Sequence, residues 1–227
     1  MISQTVRKLD ISITDESLSD GGESTNKPQT TDNYHDGIRA AAHSAFDYVL
    51  NGKKTASTSA GWPSLVCDIA DTVATAQKQQ RSVTLSVKIA GTEEIRDLNR
   101  DYRQRDSVTN VLSFPAISAS EENWTSTLEA IHTEHEAEDE ANESLDTAAS
   151  VLPDLLLGDI VLCSDVIFKE ARDQGKPVEA HWSHLTLHGV LHLMGFDHQS
   201  DDTADCMESI EIGLLQNLGF QNPYINN

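Results

Sequence analysis

Three histidines stand close together near the C-terminal end of the chain: His188, His192 and His198, with Gly195 between the second and third. His188 and His192 are four residues apart, so on a helix they occupy one face, one turn above the other. Gly195 permits a positive φ, which ends a helix and turns the chain back. His198 then returns toward the same face. Three neutral imidazoles converging on one point suit a tetrahedral zinc site, one ion per chain, with the fourth position open for water. An open position belongs to catalytic rather than structural zinc. The plainer alternative is a buried helix that happens to carry histidines; three of them around a glycine where the turn must fall favour the metal.

Other groups near this stretch have competing uses. Asp197 can orient a histidine through its carboxylate or simply serve the turn, and Asp159 is a weaker candidate of the same kind. His184, one turn before His188, either lines the cleft or is buried and hydrogen-bonded. Ser113 can touch substrate or end a strand. Trp182 reads as core and Cys206 as an ordinary helix residue. Arg96, Arg100, Arg103 and Arg105 form the densest basic cluster of the chain. They are either a solvated face or a phosphate-binding surface, with an Arg103–Asp106 ion pair as the plain role for Arg103. The histidine spacing resembles the metzincin protease signature, but those enzymes carry a glutamate base directly after the first histidine. Here that position is Gly189.

A length of 227 residues fits one domain, taken as 1–227, with additions. The formal net charge is −21, which opposes a simple electrostatic nucleic-acid binder. The acidity is local, however. From Asp106 to Phe168 there are 14 acids and no Lys or Arg, leaving 23 acids against 16 bases elsewhere. Cys67, Cys163 and Cys206 are too scattered for a disulfide framework, which suits a reducing cytoplasm. No apolar run approaches the roughly 18 residues of a membrane helix, and the N-terminus lacks the apolar stretch of a signal peptide.

The elements that must position the histidines follow from periodicity. Strands are expected at residues 8–14, 83–89, 110–115 and 155–163. Helices are expected over Ile38–Val49, from Trp62 to Val73, and from a Thr92 cap through Ile95, Leu98 and Tyr102. Three more are expected from a Ser164 cap to Gly175, from Pro177 through His192, and from Ser200 along Met207, Ile210, Leu214 and Leu218. Polar stretches at about 16–36 and 116–153 read as flexible insertions. The second holds a possible short helix near Leu128 and two further histidines, His132 and His135. The expected fold is α+β (mixed α/β): a small mixed four-stranded sheet packed with five or six helices, and a metal site on a C-terminal helix and the turn after it.

Four stretches together resemble the YbeY family of bacterial endoribonucleases. They are LNRDYRQRDSVTNVLSFP (98–115), LLGDIVLC (156–163), QGKPVEAHWSHLTLHGVLHLMGFDH (174–198) and MESIEIGLLQNLGFQNPY (207–224). The resemblance implies a zinc hydrolase that cuts single-stranded RNA, matures the 3′ end of 16S rRNA, and serves ribosome biogenesis and quality control. It implies His188, His192 and His198 as metal ligands that are also catalytic, and Arg103 as the functional arginine. Implied partners are rRNA, the small ribosomal subunit and assembly factors, in the cytoplasm, with no membrane and no DNA. Two other readings compete: a zinc protease or peptidase, and a non-catalytic ribosome-assembly factor whose zinc only folds the helix end.

Overall fold

The structure, a computed structural model, describes residues 9–16, 32–52, 62–117 and 152–225. Four strands form one sheet in the order β1-β2-β4-β3: β1 (Leu9–Asp15), β2 (Val83–Ala90), β3 (Val111–Pro115) and β4 (Leu155–Cys163). β1 runs parallel to β2 and β2 parallel to β4, whereas β3 is antiparallel to β4 at the sheet edge. Six helices accompany them: α1 (Asp32–Gly52), α2 (Ser64–Lys78), α3 (Thr92–Arg103), α4 (Ser164–Asp173), α5 (Val178–Leu193) and α6 (Asp201–Asn217). This is the expected mixed α+β arrangement.

Alternation along the strands divides the interior in two. Val83, Leu85, Val87, Ile89, Val111, Ile160 and Leu162 face the main core, with α1, α2, α5 and α6. Ala90, Leu112, Val161 and Cys163 form a smaller cluster with Ile95 of α3, and Leu98 and Phe114 pack against it. All three cysteines are free.

α5 is the central element. It packs against α1, α4, α6, β3 and β4, and only a few of its side chains remain outside the interior. Trp182 is fully buried and stacks on Tyr34 of α1 at 4.7 Å between ring centroids. That contact explains why α1 begins at Asp32, inside the stretch expected to be a polar insertion. Tyr34 lies one turn before Ile38 and extends the apolar face that the turn-forming residues Asn33, Asp36 and Gly37 disguise. The rest of that stretch, and Leu128, His132 and His135 of the second one, lie outside the described residues. Ala116 and Ile117 belong with the fold: the Ala116 N–H donates to the Leu157 carbonyl at 3.2 Å, and Ile117 is buried.

Helix starts differ from expectation at two places. Thr92 and Ser164 are first helical residues rather than caps; the caps are Gly91 and Cys163, and neither makes a side-chain capping bond. The two acids Glu93 and Glu94 still sit in the favourable first turn of α3. Ser200 does cap α6, in a reciprocal box with Thr203. Tyr102, expected on the apolar stripe of α3, is 69 % exposed and meets Phe114 edge-on.

α5 lies unusually close to the sheet at Gly189. A Cβ there would fall 2.9 Å from Ile160 Cδ1 and 3.1 Å from Ser113 Oγ. Helix propensity alone favours Gly→Ala by about 1 kcal/mol, whereas overpacking costs about 1–3 kcal/mol. Gly189→Ala is therefore expected to lower stability, read as a smaller urea midpoint at unchanged m-value. A raised midpoint would show that the approach is looser than described.

Candidate metal centre

Position and tautomer are both fixed for two of the three histidines. His188 and His192 project from one face of α5, as their spacing requires. The His188 Nδ1–H donates to Glu211 Oε1 at 2.8 Å, since a carboxylate only accepts. The His192 Nδ1–H donates to the Phe196 carbonyl at 3.0 Å. With Nδ1 carrying the hydrogen, the neutral form of either ring has its lone pair on Nε2, and these two Nε2 atoms face each other 3.0 Å apart.

Gly195 makes this possible. Its φ is +92°, and a Cβ there would also meet Leu65, Ile69 and the Val66 backbone. The turn at Gly195 brings the Phe196 carbonyl beneath His192 and returns His198 to the cluster. The rings of His198 and His192 lie 5.0 Å apart, those of His198 and His188 5.4 Å. One nitrogen of each histidine lies within 4.8 Å of the others.

The donor set fits a metal ion. Two lone pairs at 3.0 Å repel unless a proton or a cation sits between them. Two nitrogens bound tetrahedrally to one zinc at ordinary bond lengths are about 3.3 Å apart. Burial, reinforced by His188, pushes the pKa of His192 down to about 4, so this ring is neutral at pH 7 and available as a ligand. The three histidines could thus hold a metal ion.

Behind His188 lies a buried acid that sequence reasoning missed. Glu211 of α6 is fully buried. Burial alone would raise its pKa, but hydrogen bonds from His184 and His188 outweigh this and hold it at about 2. His184 Nε2 donates to Glu211 Oε2 at 2.9 Å, and the Tyr224 hydroxyl donates to the same oxygen. A signal was present: Glu211 lies four residues after Met207 and three before Leu214, on the buried stripe of α6.

The other sequence candidates divide. His184 is a hydrogen-bonded histidine that also lines a cavity with Lys176, His181 and Phe220. Asp197 serves the turn, accepting from the Gln199 N–H at 3.3 Å. Asp159 pairs in register with Phe114 within the sheet, with no side-chain hydrogen bond among the described residues. Ser113 turns toward Gly189, and Cys206 is a half-buried helix residue. Asn110 donates to Glu170, which also accepts from His181 at 2.8 Å, tying the start of β3 to α4 and α5.

The arginine cluster is mostly self-neutralised. Arg96 forms a two-point pair with Asp106 at 2.6 and 3.0 Å, and Arg100 pairs with Asp97 and Asp101. Asp106 is therefore the partner of Arg96, not of Arg103. The side chains of Arg103 and Arg105 are exposed and form no hydrogen bond or ion pair among the described residues. Arg103 does not touch the histidines. It ends α3, next to Tyr102 and Phe114, while Ser113 on the other face of edge strand β3 turns toward α5.

The sequence family described as Endoribonuclease YbeY matches residues 48–219. The chain belongs to the YbeY family. An Endoribonuclease YbeY from Alcanivorax borkumensis is 44 % identical over 140 residues, covering 62 % of this chain and 65 % of that protein. One from Cellvibrio japonicus is 40 % identical over 150 residues, covering 65 % and 66 %. One from Idiomarina loihiensis is 38 % identical over 156 residues, covering 69 % and 77 %. The match thus spans just under two thirds of the first two YbeY relatives' own length. Among the described residues no helix is long and apolar enough to cross a membrane.

Titration with a divalent ion followed by calorimetry is expected to give one site per chain. A free ion at 100 times its dissociation constant should raise stability by about 2.7 kcal/mol. His192→Ala should lose both the site and this metal-dependent stabilisation. Retention of either in that variant would place the ion elsewhere.

Proposed function

We propose that this chain is a zinc-dependent endoribonuclease that cuts single-stranded RNA and matures the 3′ end of 16S rRNA. The observation that carries the proposal is the facing pair of Nε2 atoms of His188 and His192, with His198 beside them, in a chain whose relatives are named endoribonucleases. His188, His192 and His198 would hold the ion. Three imidazoles with an open position suit zinc, although geometry and metal availability decide among divalent ions. When bound, the ion supplies Lewis acidity toward water and a phosphate oxygen.

The chain's own groups supply the rest. Glu211 and the Phe196 carbonyl keep the two α5 imidazoles from turning. The Arg103 guanidinium, without an ion pair among the described residues, would grip a nonbridging phosphate oxygen and offset charge that grows in the transition state. The exposed Tyr102 beside it offers a face for an unpaired base. An RNA strand crossing the edge strand β3 would then meet Arg103 on one side and the histidines on the other. Acids neutralise Arg96 and Arg100, so among the described residues the free positive charge of this cluster lies on Arg103 and Arg105. The small ribosomal subunit and its assembly factors would be partners, in the cytoplasm, with neither membrane nor DNA involved.

A peptidase reading lacks its base. The glutamate it requires would stand at Gly189, where any side chain would have to displace those of Ile160 and Ser113.

The test is cleavage of a labelled single-stranded RNA by zinc-loaded protein, beside identically purified His192→Ala and Arg103→Ala variants. Wild-type cleavage should vanish with His192→Ala and with chelation. With Arg103→Ala it should fall by about a hundredfold or more, at unchanged zinc content and melting temperature. Equal cleavage by all three would mean a contaminating nuclease. No cleavage, with one zinc per chain, would move the reading to a non-catalytic assembly factor.

A further inference from the structure

The acid behind the histidines has no place in the scheme above beyond holding a ring, yet its surroundings are the most constrained of any charged group described. Glu211 is fully buried on α6. It receives three donors from two separate parts of the chain: His184 and His188 of α5, and Tyr224 of the C-terminal segment. The division between its oxygens is unequal. Oε2 takes both His184 and Tyr224, whereas Oε1 takes His188 alone. Two donors on one oxygen fix the rotation of the carboxylate, so the other oxygen is aimed at a single imidazole N–H.

That aim selects the tautomer. With Nδ1 protonated and held, only Nε2 of His188 can face His192, 3.0 Å away. The C-terminal segment is itself anchored. Lys176, which leads into α5, donates to the Pro223 carbonyl, and the Tyr224 N–H donates to Asn222 Oδ1 at 2.8 Å.

We propose that Glu211 is a positioning residue for the metal, fixing His188 with Nε2 toward the ion, and that Tyr224 makes the C-terminal segment part of this device by locking the carboxylate. The inference rests on the reading of the three histidines as a metal centre. It adds that removal of a hydroxyl far along the chain from any histidine weakens metal binding.

The experiment measures the affinity of the full chain for Zn2+ against a competing chelator, for wild type, Glu211→Gln and Tyr224→Phe. In parallel, 15N-histidine NMR of the metal-free protein reads the His188 tautomer, and urea denaturation reads stability. Glu211→Gln keeps the volume of the side chain and removes its charge. It is expected to weaken zinc binding by about 10–100-fold and to turn the single Nδ1–H tautomer of His188 into a mixture. Tyr224→Phe should shift both readouts in the same direction by less. Binding of Glu211→Gln within about twofold of wild type, with the tautomer intact, would overturn the positioning role, even if stability fell. A wild type that takes up no zinc would overturn the metal centre itself and this inference with it. Should Glu211→Gln fail to fold, Tyr224→Phe decides by the same two readouts: both unchanged overturns the proposal.

Discussion

At Gly189 the backbone of α5 comes down onto Ile160 of β4 and Ser113 of β3, so close that a methyl group there would require those two side chains to shift. The rest of the site follows from that closeness. It seats α5 in the middle of the fold, with α1 on one side through the Trp182–Tyr34 stack and α6 on another. A helix held this firmly presents His188 and His192 at fixed positions. It leaves the cluster open only toward His198, the one exposed member of the three. The same closeness removes the side chain that a peptidase would place beside the first histidine. Packing and chemistry are decided by one missing Cβ.

The two α5 rings at the centre are braced from behind. Taking Glu211 out of water is costly unless its oxygens are hydrogen-bonded, and His184, His188 and Tyr224 supply three donors. His192 is braced by a backbone carbonyl, which carries no formal charge. The two ligands on α5 are thus held differently, one by an ion and one by a dipole. His198 makes ring contacts only, among the described residues. Charge on α3 is organised in the opposite sense: acids absorb Arg96 and Arg100, and what remains free among the described residues lies at its C-terminal end.

The parts of this arrangement that depend on local spacing could be read from sequence. The four-residue interval from His188 to His192, the turn at Gly195 and the alternation of Val83, Leu85, Val87 and Ile89 are all short-range patterns. The four strands and six helices of the described residues follow from patterns of this kind. What could not be read depends on long-range contacts or on the backbone. Glu211 meets His188 across 23 residues; its place on the stripe of α6 marks it as buried, but nothing local names its partner. The Phe196 carbonyl has no side chain to announce it. Asp106 sat close in sequence to both Arg96 and Arg103, and only the direction taken by the chain after α3 shows which one it serves. The start of α1 was hidden because Asn33, Asp36 and Gly37 are turn formers, and only Trp182 makes Tyr34 a core residue.

β3 and β4 are antiparallel neighbours, and the Ala116 N–H to Leu157 carbonyl bond continues their pairing one residue past Pro115. The chain therefore leaves the sheet and re-enters it at adjacent points. The entropy of closing such a loop rises only with the logarithm of its length, about 0.6 kcal/mol for each doubling. Length between these two strands is accordingly almost free for the fold to vary. The ends of β3 and β4 act as a socket: what is plugged into it can grow, shrink or change its charge while Ser113, Gly189 and the histidines beyond them keep their places.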